Sequence, residues 1–121
     1  MRWIVDDCLK FVLREQRRGN FYDGIIMDPP SYGRGPNGEV WKLEEQLYGL
    51  VQECAAILSK QPLFFLLNSY TTGLSPAVMA YLLGVLLQKK YGGAVSAGEI
   101  GLPVTESGLV LPCGSTAVWE E

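Results

Sequence analysis

The chain of 121 residues contains no histidine. Histidine is the usual general base near neutral pH and the commonest metal ligand, so histidine relays and histidine metal sites are excluded here. Its three cysteines, Cys8, Cys54 and Cys113, are widely spaced and form no Cys-x-x-Cys pair. We therefore predict no metal site and no disulfide framework, and a reducing, cytoplasmic location is favoured.

The sequence also lacks an excess of positive charge. Ten Lys and Arg stand against thirteen Asp and Glu, for a net charge of -3. A basic surface that binds phosphate backbones is therefore not expected, and a nucleic-acid substrate would have to be bound mostly by other means. Pro, Gly, Asn or Lys interrupts each long apolar run, so no membrane span is predicted, and the first residues do not resemble a signal peptide.

The chain does have the hydrophobic content for a core, at 48%, and its length suits one domain over residues 1–121. Strand-like apolar runs alternate with helical patterns along it. The predicted strands are the end of one at 3–5, then 22–27, 62–67, 95–102 and 109–119. The predicted helices are 8–18, 40–58 and 75–91.

Local signals support these helices. Gly19-Asn20 is a plausible end for the first, and Ser75-Pro76 are typical cap and first-turn residues for the third. In the second helix, apolar residues recur at steps of three and four, which predicts one buried face. That face consists of Val40, Leu43, Leu47, Leu50, Val51, Cys54 and Leu58.

Strands that alternate with helices predict an α/β fold, with a mainly parallel sheet covered by helices on both faces. The last two strands are joined too briefly for a crossover, so they should form an antiparallel hairpin. Three predicted strands end on polar residues: Asp6-Asp7, Asp28 and Asn68-Ser69. Ligands of such sheets lie beyond the carboxyl ends of the strands, so these clusters should converge on one crevice.

The most informative stretch is GIIMDPPSYGRG, from Gly24 to Gly35. Two prolines after Asp28 fix the backbone and remove two amide donors, which leaves their carbonyls as free acceptors. Tyr32 could stack a base whose polar edge faces these acceptors, and glycines at 33, 35 and 38 would let the loop close. A strand-ending turn with a surface tyrosine, followed by a solvated Arg34, remains the alternative.

The Asp-Pro-Pro-Ser-Tyr motif after an apolar strand resembles motif IV of class I S-adenosylmethionine-dependent methyltransferases, and its aromatic form is similar to the 23S rRNA methyltransferase group. IVDDCLKFV resembles the adenine-binding segment after the third strand of that family. PLFFLLNSYTTGLS resembles its fifth strand and VTESGLVLPCG its closing hairpin. The resemblance implies a Rossmann-like fold, S-adenosylmethionine as cofactor and RNA as substrate.

The resemblance also implies roles for individual residues. Cofactor binding would fall to Asp7, through the adenine amino group, and to the Cys8 amide, with Asp6 as a second candidate; Asp7 could instead be only a helix cap. Asp28 would lie near the methyl donor and the target atom. The catalytic set is Asp28, Pro29, Pro30 and Tyr32, and the substrate set is Ser31, Tyr32, Arg34, Asn68 and Ser69.

Two departures from the family matter. Cytosine C5 methylation needs a cysteine nucleophile, but Ser31 and Asn68-Ser69-Tyr70 occupy its usual positions, and all three cysteines suit structural roles. A base nitrogen or a hydroxyl is therefore the favoured target. The chain also has no glycine-rich loop after a first strand and begins near the family's third strand, so strands three to seven are expected and strands one and two are missing.

The sequence is therefore interpreted as the C-terminal part of a methyltransferase domain, inactive by itself, in which the strand at 22–27 exposes one edge. That edge could pair with an N-terminal partner chain or with a second copy. The alternatives are a non-catalytic binding or assembly module and one half of a split enzyme.

Overall fold

The computed structural model describes residues 1–71 and 73–121. The helices are α1 (Cys8–Arg18), α2 (Leu43–Ala55), α3 (Pro76–Leu83) and α4 (Lys89–Tyr91), and a π-helical turn, Gly84–Gln88, joins α3 to α4. The strands are β1 (Gly24–Met27), β2 (Tyr32–Arg34), β3 (Val40–Lys42), β4 (Phe64–Ser69), β5 (Ala94–Pro103) and β6 (Val110–Glu120). None of these helices has the length and apolar character that crossing a bilayer requires.

Four strands form one sheet in the order β1-β4-β6-β5. β1 and β4 are parallel, whereas β6 runs antiparallel to both of its neighbours. The predicted α/β class and the antiparallel terminal hairpin are therefore confirmed. β2 and β3 form a separate two-stranded hairpin within the connection from β1 to α2.

The core lies on one face of the sheet. Phe65 and Leu67 of β4 are buried and pair in register with the buried Trp119 and Ala117 of β6. The other face is open, because Ile26 is 69% exposed and alternate residues of β4 are only partly covered. Buried residues of α2 and α3 complete the core: Leu43, Leu47, Leu50, Val51, Cys54, Met79, Leu82 and Leu83.

The prediction that helices cover both faces is wrong. The connections β1-α2-β4 and β4-α3-β5 step across the sheet in the same direction, and right-handed crossovers of that kind carry their helices to the same face. The predicted strand at 22–27 is accordingly shorter, Gly24–Met27, and is not covered on both sides. It lies at the edge of the sheet, as predicted.

The predicted strand end at residues 3–5 is also wrong. These residues have no regular secondary structure, and Trp3 and Val5 are 86% and 105% exposed. A strand needs a neighbouring strand to satisfy its backbone hydrogen-bonding groups. Residues 3–5 have no such neighbour, because β1 is the edge strand and no described strand lies beyond it.

The helix boundaries follow the sequence signals at both ends of α1 and at the start of α3. Asp7 caps α1, Gly19 ends it with a φ of 68°, and Ser75 caps α3 with Pro76 in the first turn. The second helix is shorter than predicted at both ends. Val40 belongs to β3 and is exposed, whereas Leu58 is buried but follows the helix.

A buried carboxylate ties the end of α1 to the segment before β1. Glu15 is 5% exposed and accepts hydrogen bonds from the Tyr22 hydroxyl and from Asn20 Nδ2, the latter at 3.0 Å. Arg18 completes the contact through an ion pair at 3.4 Å. The Tyr22 hydrogen bond, with those of Asn20 and Arg18, lowers the pKa of Glu15, and the same bond raises the pKa of Tyr22.

This network should make the stability of the fold depend on pH at the acid end of the range. Because the pKa of Glu15 is lower in the folded state, its contribution is complete above its unfolded value and is lost as the pH falls through the folded value. Glu15→Gln should lower the Tm by several degrees at pH 7 and flatten the acid limb of a Tm-against-pH curve. Glu106→Gln, in the exposed turn between β5 and β6, is the matched control. Equal Tm values for both variants at pH 7 would contradict this assignment.

Candidate functional site

The carboxyl ends of β1 and β4 bring two of the predicted polar clusters together. Met27 pairs in parallel with Leu67, so the next residues along the two strands, Asp28 and Asn68, follow the pair side by side. Asp28 is exposed and Asn68 is half-buried. Ser69 is buried, and its hydroxyl accepts a hydrogen bond from the Thr71 amide at 3.2 Å.

Three hydrogen bonds hold the loop that follows Asp28. The Thr71 hydroxyl donates to Ser31 Oγ at 2.8 Å, and the Leu43 amide, at the start of α2, donates to the Ser31 carbonyl at 3.1 Å. The indole Nε1 of Trp41 donates to the Pro30 carbonyl at 2.7 Å. The prediction that both proline carbonyls are free is therefore wrong for Pro30.

Two acceptors at the start of this loop have no hydrogen-bond partner among the residues that the structure describes. Within residues 1–71 and 73–121, no hydrogen bond reaches the Asp28 carboxylate or the Pro29 carbonyl. The rigid segment thus offers one carboxylate and one carbonyl at the edge of the sheet. Such a pair of acceptors suits a ligand that carries an amino group or a hydroxyl.

Residues 29–39, predicted as a loop, contain β2 and part of the hairpin turn. Asn37-Gly38 is a strong hairpin signal that the prediction overlooked, and Gly38 has a φ of 84° that favours glycine. The Gly35 amide closes the turn on the Glu39 carbonyl at 2.8 Å. Hydrogen bonds from its own amide and that of Asn37 lower the pKa of Glu39, with a smaller contribution from the charge of Lys10 on α1.

One face of this hairpin carries an aromatic ring and two cations. Tyr32 is 53% exposed, and its hydroxyl accepts a hydrogen bond from Arg34 Nε at 2.8 Å. Lys42 pairs with Tyr32 across the hairpin and forms an ion pair with Glu45 at 3.1 Å, which raises the pKa of Lys42. The opposite face of β3 carries Trp41, whose indole reaches the loop.

The predicted cofactor residues stand at the start of α1. Asp7 is its N-cap, with Oδ1 accepting from the Lys10 amide at 2.9 Å, so the helix-cap interpretation holds for that oxygen. Asp6 is ion-paired to Arg14, and that hydrogen bond lowers its pKa. In the described chain no hydrogen bond or ion pair links these residues to Asp28. Of the three polar clusters predicted to converge, the structure therefore brings together Asp28 and Asn68-Ser69.

The cysteines differ in their surroundings. Cys8 is exposed at the first position of α1, so the structural role predicted for it from the sequence, as an apolar core residue of this helix, is wrong. Cys54 is buried in α2, and burial raises the pKa of its thiol to about 12. Cys113 lies in β6, as predicted, and is half-buried with its Sγ 3.5 Å from the Ile100 carbonyl.

Sequence reasoning missed two residues that shape the site, Trp41 and Thr71. Nothing in the spacing of Trp41 indicates that its indole returns to Pro30, because that contact depends on the hairpin. Thr71 follows β4, and its contact with Ser31 requires β1 and β4 to be neighbours. Gly114 adds a further constraint, since a Cβ there would lie 2.7 Å from the Ser69 carbonyl and from the Tyr70 ring.

No protein-family model matches the chain, and no curated protein matches it. Two solved structures similar to it are methyltransferases. The chain is 37% identical to the SAM-dependent methyltransferase from Agrobacterium tumefaciens, with a TM-score of 0.87 over 98% of this chain and 39% of that one. It is 18% identical to SMU.776, a methyltransferase complexed with SAH, with a TM-score of 0.61 over 95% of this chain and 30% of that one.

These likenesses define the class of fold. The chain has a partial Rossmann-like fold of the class I methyltransferase type, with a mixed parallel and antiparallel sheet. It spans about two fifths of the Agrobacterium protein and about three tenths of SMU.776.

Proposed function

We propose that this chain is the C-terminal part of an S-adenosylmethionine-dependent methyltransferase. The observation that carries the proposal is the 37% identity to a SAM-dependent methyltransferase over 98% of the chain. The Asp28 carboxylate and the Pro29 carbonyl, which have no hydrogen-bond partner among the described residues, support it. In the family's strand order, 3-2-1-4-5-7-6, we equate β1, β4, β6 and β5 with strands four, five, seven and six. The observed order β1-β4-β6-β5 agrees with that assignment.

The start of α1 has donors and acceptors that fit an adenine ring. Asp7 uses Oδ1 as the helix cap, which leaves Oδ2 as an acceptor for an amino group. The Cys8 amide is in the first helical turn, where backbone amides have no acceptor within the helix. An acceptor beside a donor matches the amino group and adjacent ring nitrogen of adenine, so we assign the adenine end of the cofactor to Asp7 and Cys8.

At the target site, binding and orientation carry the catalysis. Bound S-adenosylmethionine supplies a methyl group on a positively charged sulfur. The Asp28 carboxylate and the Pro29 carbonyl accept hydrogen bonds from the target amino group or hydroxyl, which directs its lone pair along the line of transfer. The new bond from the target atom to the methyl carbon would form as the carbon–sulfur bond breaks and leaves the neutral thioether, and the target proton would pass to Asp28 or to water. Tyr32 packs on the target base, while Ser31 and Asn68 line the cleft and Ser69 fixes the turn beside it.

We propose RNA, of the ribosomal class, as the substrate, with a base nitrogen or a hydroxyl as the methylated atom. Methylation of cytosine C5 requires covalent addition of a cysteine to the ring. None of the cysteines lies in 28–32 or 68–71, and Cys54 is buried with a raised pKa. The free thiols of the chain suit a cytoplasmic location.

Mass spectrometry of nucleosides from cells with and without the gene tests this substrate. The expected result is the loss of one N-methylated or O-methylated nucleoside from RNA, with 5-methylcytidine unchanged. Disruption of an unrelated gene in the same strain is the control. Loss of 5-methylcytidine would contradict the assignment of the target atom.

We further propose that the open side of the sheet receives the remainder of the domain. β1 lies at the sheet edge with Ile26 69% exposed, and the face opposite α2 and α3 is incompletely covered. The Agrobacterium protein is more than twice as long as the part this chain matches. An N-terminal segment or partner chain is the favoured occupant, and self-association of copies through β1 is the alternative.

A second candidate function is a non-catalytic binding or assembly module, or one half of a split enzyme. The observation that favours it is the same open edge and face, together with a net charge of -3 that gives RNA little electrostatic attraction. The upstream DNA discriminates between them. A strand followed by a glycine loop and then an acid would favour the enzyme over the module.

Calorimetry of this chain with S-adenosylmethionine tests the partial-domain proposal. Asp7 and Cys8 contact only the adenine end of the ligand, so we expect no tight binding to the chain alone. Titration with adenosine, which lacks the methionine part, is the matched control and should give equally weak heats. Micromolar binding of S-adenosylmethionine would contradict the proposal.

A further inference from the structure

The loop after Asp28 contains two proline carbonyls that could compete for one target group. Neither Pro29 nor Pro30 has an amide hydrogen, so each contributes only an acceptor to the loop. A site with two free and adjacent acceptors would bind an amino group in more than one orientation. The hydrogen bond from Trp41 removes this ambiguity, because its indole occupies the Pro30 carbonyl at 2.7 Å.

We infer that Trp41 is a positioning residue that leaves the Pro29 carbonyl as the one proline acceptor presented to the target. This inference rests on the methyl-transfer function proposed above. Trp41 acts from the face of β3 opposite Lys42 and Tyr32, so the same hairpin fixes the acceptor with one face and presents the aromatic ring with the other. The hairpin thereby fixes the orientation of the Pro30 carbonyl and the position of the Tyr32 ring together.

Two further hydrogen bonds hold Ser31, the residue after Pro30, independently of Trp41. The Ser31 carbonyl is held by the Leu43 amide at 3.1 Å, and the Ser31 hydroxyl is held by Thr71 at 2.8 Å. The residue after Pro30 is therefore fixed from two elements, and Trp41 adds the third attachment. Loss of the indole donor would free the Pro30 carbonyl without removing the attachments of Ser31.

Nuclear magnetic resonance tests this assignment, first in the isotopically labelled unmodified chain and then in a Trp41 variant. A scalar coupling across the hydrogen bond should connect Trp41 Nε1 to the Pro30 carbonyl carbon and should be absent at Pro29. Trp41→Phe should abolish the coupling and raise the exchange rate of the Leu43 amide by about three- to tenfold. A coupling to Pro29 instead, or no coupling in the unmodified chain, would overturn the inference.

Trp119→Phe is the matched control, because the Trp119 indole also donates to a backbone carbonyl, that of Gly92 at 2.8 Å, away from the loop. Trp119→Phe should lower the Tm but leave the coupling from Trp41 to Pro30 unchanged. The exchange rate of the Leu43 amide should rise no more than the loss of global stability requires. If Trp119→Phe accelerates the Leu43 amide as much as Trp41→Phe does, the effect is global and the local role of Trp41 is contradicted.

Kinetics of the complete domain separates this inference from the proposed function. In a polypeptide that transfers methyl groups, Trp41→Phe should lower kcat/KM for the RNA about tenfold and leave the Kd for S-adenosylhomocysteine unchanged. An unchanged kcat/KM would overturn the positioning role. If the unmodified domain transfers no methyl group, the proposed function is wrong and Trp41 has no positioning role in catalysis. The hydrogen bond from Trp41 to Pro30 is tested separately, by the scalar coupling.

Discussion

The parallel pairing of β1 with β4 is the constraint on which the site depends. Their register places Asp28 directly beyond Met27 and Asn68 directly beyond Leu67. Burial of Phe65 and Leu67 against the helices fixes β4, because a shift of one residue would turn both side chains to the open face. The hydrophobic core thus determines the position of the polar residues that carry the proposed chemistry.

The loop after β1 converts this register into a rigid acceptor site. Proline torsions limit the backbone, and hydrogen bonds from Thr71, Leu43 and Trp41 attach the loop to three different elements. The contact from Thr71 comes from a segment that is distant in sequence, whereas those from Trp41 and Leu43 come from the end of the same connection between β1 and α2. The carboxylate of Asp28 and the carbonyl of Pro29 are left without protein partners in the described chain, which is the arrangement expected of a preorganised binding site.

Local signals predicted much of the fold. Asp7, Gly19 and Ser75-Pro76 act through neighbours within a few residues, and their helix ends appear where expected. The contact of Thr71 with Ser31 could not be predicted in this way, because it depends on β1 and β4 becoming neighbours. The contact of Trp41 with Pro30 depends on the β2–β3 hairpin. The hairpin of β2 and β3 was predictable from Asn37-Gly38 and was missed.

Two errors concern features that depend on the assembled sheet and not on local sequence. Alternation of strands and helices indicates a layered fold, but the face that each helix covers depends on the handedness and direction of its crossover. The sheet therefore has one covered and one open face, with Ile26 exposed and residues 3–5 outside any strand. Strand-like composition alone does not supply a neighbouring strand.

Methyl transfer by the complete domain is the decisive measurement for the role proposed for Asp28. This chain would be joined to, or coexpressed with, an upstream segment that contains the glycine loop, and transfer of labelled methyl from S-adenosylmethionine to RNA would be measured. The account predicts transfer that Asp28→Asn lowers by at least about a hundredfold, while Asp23→Asn, before β1, has little effect. Equal rates for the two variants would contradict it.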